Sequence, residues 1–332
     1  MRFSMFFTIA VLGTTASSES CAQVFEISLP AKNIAYSSAT GMLYVTVPSS
    51  AGIPYGNGLV EISPTDASIT GNVYVGSEPN PLATSPDQPI AYVGLDGANA
   101  VRPVDLTTLI PGAQFSLGSD RFLGPYTAQQ IAVMPGAANT VAVSLSPGGG
   151  GAGNVAIFDS GVMRGSINPS IPFANAIAFG PTANQLYGYD NYDTSFGLSK
   201  YSIDTTGISS ATYVSNVIRA FYATIVVDAS TIYSTSGATV DATSLQLVGT
   251  YETSGPVVVD DSAHWVIFAH QNNVQVYDRE TFVQIFSMLI PGATGNPISA
   301  TGCGSRCVAI VFNSGQIFIV SNVEYIFDNG FE

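Results

Sequence analysis

Hydrophobic and polar positions alternate along this chain in short runs cut by turn residues. In "IAYVGLD" (90–96) and "AVRPVDL" (100–106) the apolar positions recur with the period of a β-strand. The Ser85-Pro86-Asp87-Gln88-Pro89 segment before them reads as a turn. Proline fixes φ there, and an Asp side chain bonds its own backbone two residues on. The same order of strand, tight turn and strand returns in "NIAYSSATGMLYVTV" from Asn33, "QIAVMPGAANTVAVSL" from Gln130 and "AIAFGPTANQLYGYD" from Ala176. It returns again in "TIVVDASTIYSTS" from Thr224, "PVVVDDSAHWVIFAH" from Pro256 and "PISATGCGSRCVAIVF" from Pro297.

Most units add a third strand ending near an aspartate: "NVAIFD" (154–159), "KYSID" (200–204), "ATVD" (238–241) and "NVQVYD" (273–278). A short fourth strand follows, such as "LQLVGTY" (245–251). First strands begin near residues 33, 80, 130, 176, 224, 256 and 297, a mean spacing of about 44 residues, with a fifth unit of only 32. Four strands per unit at that period predict an all-β, seven-bladed β-propeller of antiparallel blades. The seventh unit stops after three strands, at "GQIFIV" (315–320), while "VFEISL" (24–29) is an orphan strand ahead of the first unit. Pairing the two closes the ring and leaves no free sheet edge there. A parallel α/β fold is excluded, since no ten-residue amphipathic helix separates the strands.

The second unit, "VGSEPNPLATSPDQPIAYVGLDGANAVRPVDL", resembles the YVTN-type repeat of lactonase-like seven-bladed propellers. It carries the Val-Gly…Pro, Ser-Pro-Asp, Tyr-Val and Val…Val-Asp elements in that family's order, while the other units are degenerate, the third having "MPGAAN" for Ser-Pro-Asp. The resemblance implies a propeller outside the cytoplasm and no single activity.

Composition agrees. Charged residues are 10% of the chain and hydrophobic ones 46%, so polarity comes from Gly, Ser, Thr and Asn, as in weakly charged exported β-proteins. Met1-Arg2 and the apolar run from Phe3 to Leu12, with small residues before Ala22, read as a signal peptide of residues 1–22. The alternative, a lipoprotein at Cys21, lacks the aliphatic residue that Ser18 replaces. No later apolar run reaches the roughly 18 residues of a membrane span. The leader carries Arg2 and Glu19, so its removal leaves the net charge at −14. That charge excludes nucleic acid, whose phosphates demand clustered Lys and Arg. Residues 23–322 are assigned to the propeller and 323–332 to a tail whose "YIFDNGFE" resembles a short sorting ending, a frayed terminus being the alternative.

Cys303 and Cys307 read as a disulfide, with buried free thiols as the other reading; with two histidines in the chain a zinc site is poorly supported. In a propeller the loop between second and third strands shares a face with the inter-blade loop. Here those loops are the longest: 48–58, 118–129, 146–153 and 190–197. Tyr55, Arg121, Phe122, Tyr126, Tyr192 and Phe196 on them are candidate binding residues, suited to stacking on sugars or packing on protein. The competing reading is that such rings fold back to pin their loops.

Asp190 and Asp193 are weak Ca²⁺ candidates without an Asp-x-Asp-x-Asp-Gly loop around them. Asp105, Asp159, Asp204, Asp241 and Asp278, all following third strands, are read as turn caps. No cofactor is expected: "SPGGGGAG" lacks a phosphate loop's Lys, and the single Trp265 does not supply the repeated tryptophans of quinone propellers. His264 and His270 have no Gly-x-Ser-x-Gly partner and read as structural. The expectation is a non-catalytic exported scaffold presenting aromatic loops to a protein or glycan partner. A lactonase-like hydrolase is the alternative and requires carboxylates such as Glu78, Asp96 and Asp190 to converge near the ring axis. A structural module in a larger surface assembly is a third.

Overall fold

The computed structural model describes residues 23–323 except 148–152, 166 and 168–169. The proposed leader, the tail beyond Val323 and most of the "SPGGGGAG" loop lie outside the described residues.

The chain is a seven-bladed β-propeller of antiparallel blades. Blade 1 is built from Asn33–Ser37, Met42–Val47, Gly58–Ile62 and Ile69–Tyr74, and first strands of later blades begin at Pro79, Thr127, Ala176, Ile225, Val257 and Pro297. Gln23–Ser28 lies antiparallel to Gln316–Ser321, with Gln23 opposite Ser321 and Ser28 opposite Gln316. This strand is the fourth of blade 7, so the two ends of the chain close the ring.

Burial explains why the second strands are the clearest in the sequence. Each is covered on both faces by neighbouring blades, so Met42–Val47, Ile90–Leu95 and Cys307–Phe312 are almost continuously buried. The outermost strands meet water on one face, and Ile69–Tyr74 alternates residue by residue. β-Branched and aromatic residues suit both environments. An apolar cluster fills each junction, including blades 1–2 around Tyr44 and Val93, blades 4–5 around Tyr187 and Val240, and blades 7–1 around Leu43 and Ile319.

Tyrosines latch these junctions. The third residue of the second strand is Tyr44, Tyr92, Tyr187 and Tyr233 in blades 1, 2, 4 and 5. Tyr92 donates its hydroxyl to Ala138 O (2.9 Å) on blade 3, and Tyr187 donates to Ala242 O (3.0 Å) on blade 5. Tyr233 accepts from Arg279 Nε of blade 6 (2.8 Å). Gly94, after the Tyr-Val pair of blade 2, sits where a Cβ would come 2.4 Å from Pro81 Cγ, so glycine lets the two strands approach.

The outer strands depart most from expectation. The fourth-strand position of blade 2 is split between Ile110–Pro111 and Phe115–Ser116, and that of blade 3 is only Val162–Met163. In blade 5 it is Leu247–Thr250 rather than 245–251, because Leu245 and Tyr251 turn inward and are buried. All four strands of that blade are four residues long, which accounts for the short fifth unit. Val323 is also buried, one residue past the expected propeller limit, and donates to Arg306 O (3.2 Å).

Asp105, Asp241 and Asp278 each accept two backbone N–H groups of the following turn, and Asp204 accepts from Thr206 N and Oγ1. Asp159 differs: it holds Arg164 (2.5 Å) and Thr140 Oγ1 (2.7 Å). Cys303 and Cys307 form a disulfide, Cα–Cα 5.0 Å, across the turn into the second strand of blade 7. Among the described residues no helix is long and apolar enough to cross a membrane.

Candidate functional site

Strand direction places the second-to-third-strand loops and the inter-blade loops on one face, here the loop face. The opposite face carries short turns, such as 38–41 and 229–230.

The loop-face aromatics divide in two. Residues 119–125 form a small ribbon, Ser119–Asp120 against Gly124–Pro125, whose tip is turned outward by Asp120. The Asp120 carboxylate accepts the N–H groups of Phe122 (2.7 Å) and Leu123 (2.8 Å), which holds its pKa below the usual range. Phe122 is therefore 85% exposed, with the Arg121 guanidinium 5.4 Å from its ring centroid. Tyr192 is also exposed. Tyr126 goes the other way: its N–H donates to Gly118 O (3.1 Å) and its ring is 7% exposed in the core between blades 2 and 3. It anchors the loop and is not part of the surface. Tyr55 and Phe196 are half-buried against the cores of blades 7–1 and 4–5.

Four exposed side chains on this face were missed in the sequence: Leu123, beside Phe122, and three others. Ile53, in the first long loop, is 99% exposed. Phe221 and Tyr222 occupy the connection from blade 4 to blade 5, and Tyr222 is 78% exposed. The "AFYAT" segment (220–224) looks like the start of a strand, which hides the two rings. The Phe221 ring meets Phe196 edge-on at 4.8 Å.

Between the inner strands the loop face opens into an axial funnel of about 750 Å³. Asn33, Gln129, Gln130, Asn175 and Asn191 line it with Thr and Ser hydroxyls and with apolar side chains such as Ile34, Leu82 and Val257, while Phe221 and Tyr222 stand at its lip; among the described residues no Asp, Glu, Lys, Arg or His belongs to the lining. The amides also tie blades together. Gln129 Oε1 accepts from Asn175 Nδ2 (2.7 Å), Gln130 Oε1 from Ile177 N (2.9 Å), and Asn33 Oδ1 from Ser299 Oγ (3.1 Å).

The carboxylates do not meet on the axis. Glu78 and Asp96 lie beside blade 1: Glu78 bonds Ser49 Oγ, and its N–H reaches Asn57 Oδ1 (2.9 Å). Asp96 accepts from Asn80 Nδ2 (2.8 Å). Burial raises the Asp96 pKa, with the Glu78 charge adding to it and the Asn80 bond and Lys32 opposing it. Asp190 is on blade 4, buried, accepting from Tyr192 N (3.0 Å), its pKa raised by that burial. Asp193 accepts from Ser195 N (2.7 Å). Both shape their own loop, and among the described residues no three His, Cys, Asp or Glu gather as a metal site. His264 faces Glu280 on the turn face, and His270 Nδ1 lies 2.7 Å from Ser254 O.

No protein-family model matches the chain, and no curated protein matches it. Solved structures do. Hydrazine synthase of Kuenenia stuttgartiensis superposes with a TM-score of 0.66 at 14% identity, covering 93% of this chain and 99% of that one. The Cps50 (Swd1) β-propeller domain of Myceliophteria thermophila gives 0.69 at 12% identity, with 90% and 98% covered. At such identities the likeness is one of fold.

Proposed function

We propose that this chain is an exported, divergent YVTN-type propeller that serves as a binding module, offering its loop face to a macromolecular partner rather than catalysing a reaction. One observation carries the reading: Ile53, Phe122, Leu123, Tyr192, Phe221 and Tyr222, all large, apolar and solvent-exposed, stand on loops of a single face. Exposed apolar groups concentrated in one region mark interaction surfaces, while single ones scattered over a surface do not. A rigid ring holding variable loops is the usual arrangement for such a surface. Export is supported by the leader-like residues 1–22 and by a disulfide, which persists in oxidising compartments. Family membership is supported by the use made of the repeat elements. Ser85 Oγ caps the Ser-Pro-Asp turn at Asp87 N and Gln88 N (both 3.3 Å), and the Tyr-Val tyrosine is the junction latch.

The reading is tested by retention of the purified full chain on immobilised extracellular polysaccharides and surface proteins. Phe122→Ala combined with Tyr192→Ala should weaken retention at least tenfold with melting unchanged. Val283→Ala with Ile285→Ala, exposed on the rim of blade 6, should leave retention intact. Equal retention of both double variants would refute the assignment of the face.

A further inference from the structure

Among the described residues the funnel lining carries no charge, in a chain of net charge −14, and that contrast bears on what enters it. An anion finds no cation in the lining, and a metal ion finds no carboxylate or imidazole. A purely apolar ligand would strip water from amides and hydroxyls without replacing their bonds, which costs free energy. A neutral ligand rich in hydroxyls satisfies all of these groups.

The orientation of the amides sharpens the match. Their carbonyl ends are spent on the ring itself: Gln130 Oε1 on Ile177 N, Gln129 Oε1 on Asn175 Nδ2, Asn33 Oδ1 on Ser299 Oγ. Each of these three side chains is thereby fixed with its NH₂ group unused among the described residues. The volume, about 750 Å³, falls within the roughly 300–1,000 Å³ of small-molecule sites.

The lip is held in place before any ligand arrives. Tyr222 N donates to Asn191 O (3.0 Å), and Asn191 Nδ2 donates to Ala223 O (2.8 Å). The Tyr189 hydroxyl bonds both the carbonyl (2.7 Å) and the N–H (3.0 Å) of Ala220. Phe221 is braced by Phe196, so its ring and the backbone that carries the exposed Tyr222 stand fixed beside a hydrogen-bonding cavity. Aromatic faces flanking hydroxyl-matching groups suit the apolar face and polar edge of a sugar ring, and preorganisation spares the entropy of assembling them.

We infer that the funnel binds the end of a neutral oligosaccharide, with Phe221 and Tyr222 stacking on a sugar ring and the amide NH₂ groups of Asn33, Gln129 and Gln130 donating to its oxygens. This assignment deepens the proposed function, since it names the ligand class and the part of the face that holds it.

The test is isothermal titration of the full chain with neutral cello-, xylo-, malto- and chito-oligosaccharides, and with oligogalacturonate as a charged counterpart. Gln130→Glu is the decisive variant. It keeps an oxygen for Ile177 N and removes only the NH₂ donor, adding a negative charge. The expected result is saturable binding of at least one neutral series, weakened at least tenfold by Gln130→Glu and by Tyr222→Ala, with oligogalacturonate inert. Silence of every neutral series, or binding indifferent to both variants, overturns the funnel assignment. The wider reading is separable from it. Retention that the Phe122 and Tyr192 substitutions abolish while Gln130→Glu leaves it intact overturns the funnel and leaves the loop face standing.

Discussion

Tyr187→Phe removes one oxygen from the junction of blades 4 and 5 and leaves the packing untouched. The ring is fully buried in the apolar cluster there, and its hydroxyl donates to Ala242 O at 3.0 Å. The direct loss is the net worth of a hydrogen bond, about 1 kcal/mol. The Ala242 carbonyl is stranded as well, at up to roughly 1–3 kcal/mol if nothing replaces its donor. A second lone pair and slight relaxation offset part of that, so the expected destabilisation is about 1.5–2 kcal/mol. For a domain of this size a kilocalorie lowers Tm by roughly 2 °C, which places the variant about 3–4 °C below the parent. Differential scanning calorimetry of the two proteins decides it, with Tyr213→Phe, exposed on the outer strand of blade 4, as the control that should not move. Tyr92→Phe acts at the junction of blades 2 and 3, so the double variant with Tyr187→Phe should show additive losses. A Tyr187→Phe protein that melts with the parent refutes the latch.

Other consequences are testable in the same instrument or by simple titration. Arg279 joins Tyr233 (2.8 Å), Asp228 (2.5 Å) and Asp261 (2.6 Å) from blade 6, so Arg279→Lys, which cannot reproduce the fork, should cost about 1–2 kcal/mol by urea unfolding, and a neutral result would remove it from the junction. Reduction of Cys303–Cys307 opens a short loop and should lower stability by about 2 kcal/mol, seen as a lower urea midpoint with reductant and no change in a Cys303→Ser/Cys307→Ser protein. The turn carboxylates Asp105, Asp204, Asp241 and Asp278 are held below the usual range by hydrogen bonds from their turns, so their contribution is present above about pH 4 and lost on further acidification. Asp96 works in the opposite sense: burial raises its pKa, so its charge costs the folded state more than the unfolded one, and Asp96→Asn should raise Tm at pH 7 with a gain that fades as pH falls through the raised pKa. A loss of stability in Asp96→Asn at pH 7 would mean that the charge itself is used.

The propeller was legible because its strongest signals are its most buried strands. "LYVTV" and "AYVGL" sit between two neighbouring blades, so their apolar runs are uninterrupted and the tight turns beside them repeat at a readable period. The closing strand was legible as a remainder, three strands at one end and one at the other. Outer strands were harder, since little packing constrains them: the one in blade 3 is a two-residue bridge. The site was legible only as a set of loops. Phe122 and Tyr126 lie four residues apart in one loop, and nothing local separates them. Their fates depend on the turn at Asp120 and on the bond from Tyr126 back to Gly118, one throwing a ring outward and the other drawing a ring in. The amides of the funnel stand in plain view at the starts of "NIAY", "QQIAV" and "NAIAF". Their common destination becomes visible only when the ring is closed.

The central claim, that one face of this ring is its working surface, is tested most directly by blocking the faces one at a time. A bulky polymer is attached at Ile53→Cys on the loop face, at Asp261→Cys on the turn face and at Val283→Cys on the rim, all exposed positions. Retention of each labelled protein on the surface material that captures the parent is then measured. The account predicts that the Ile53 label alone abolishes retention, while the other two leave it at the parental level. Loss of retention with the Asp261 or Val283 label, and none with the Ile53 label, would contradict it.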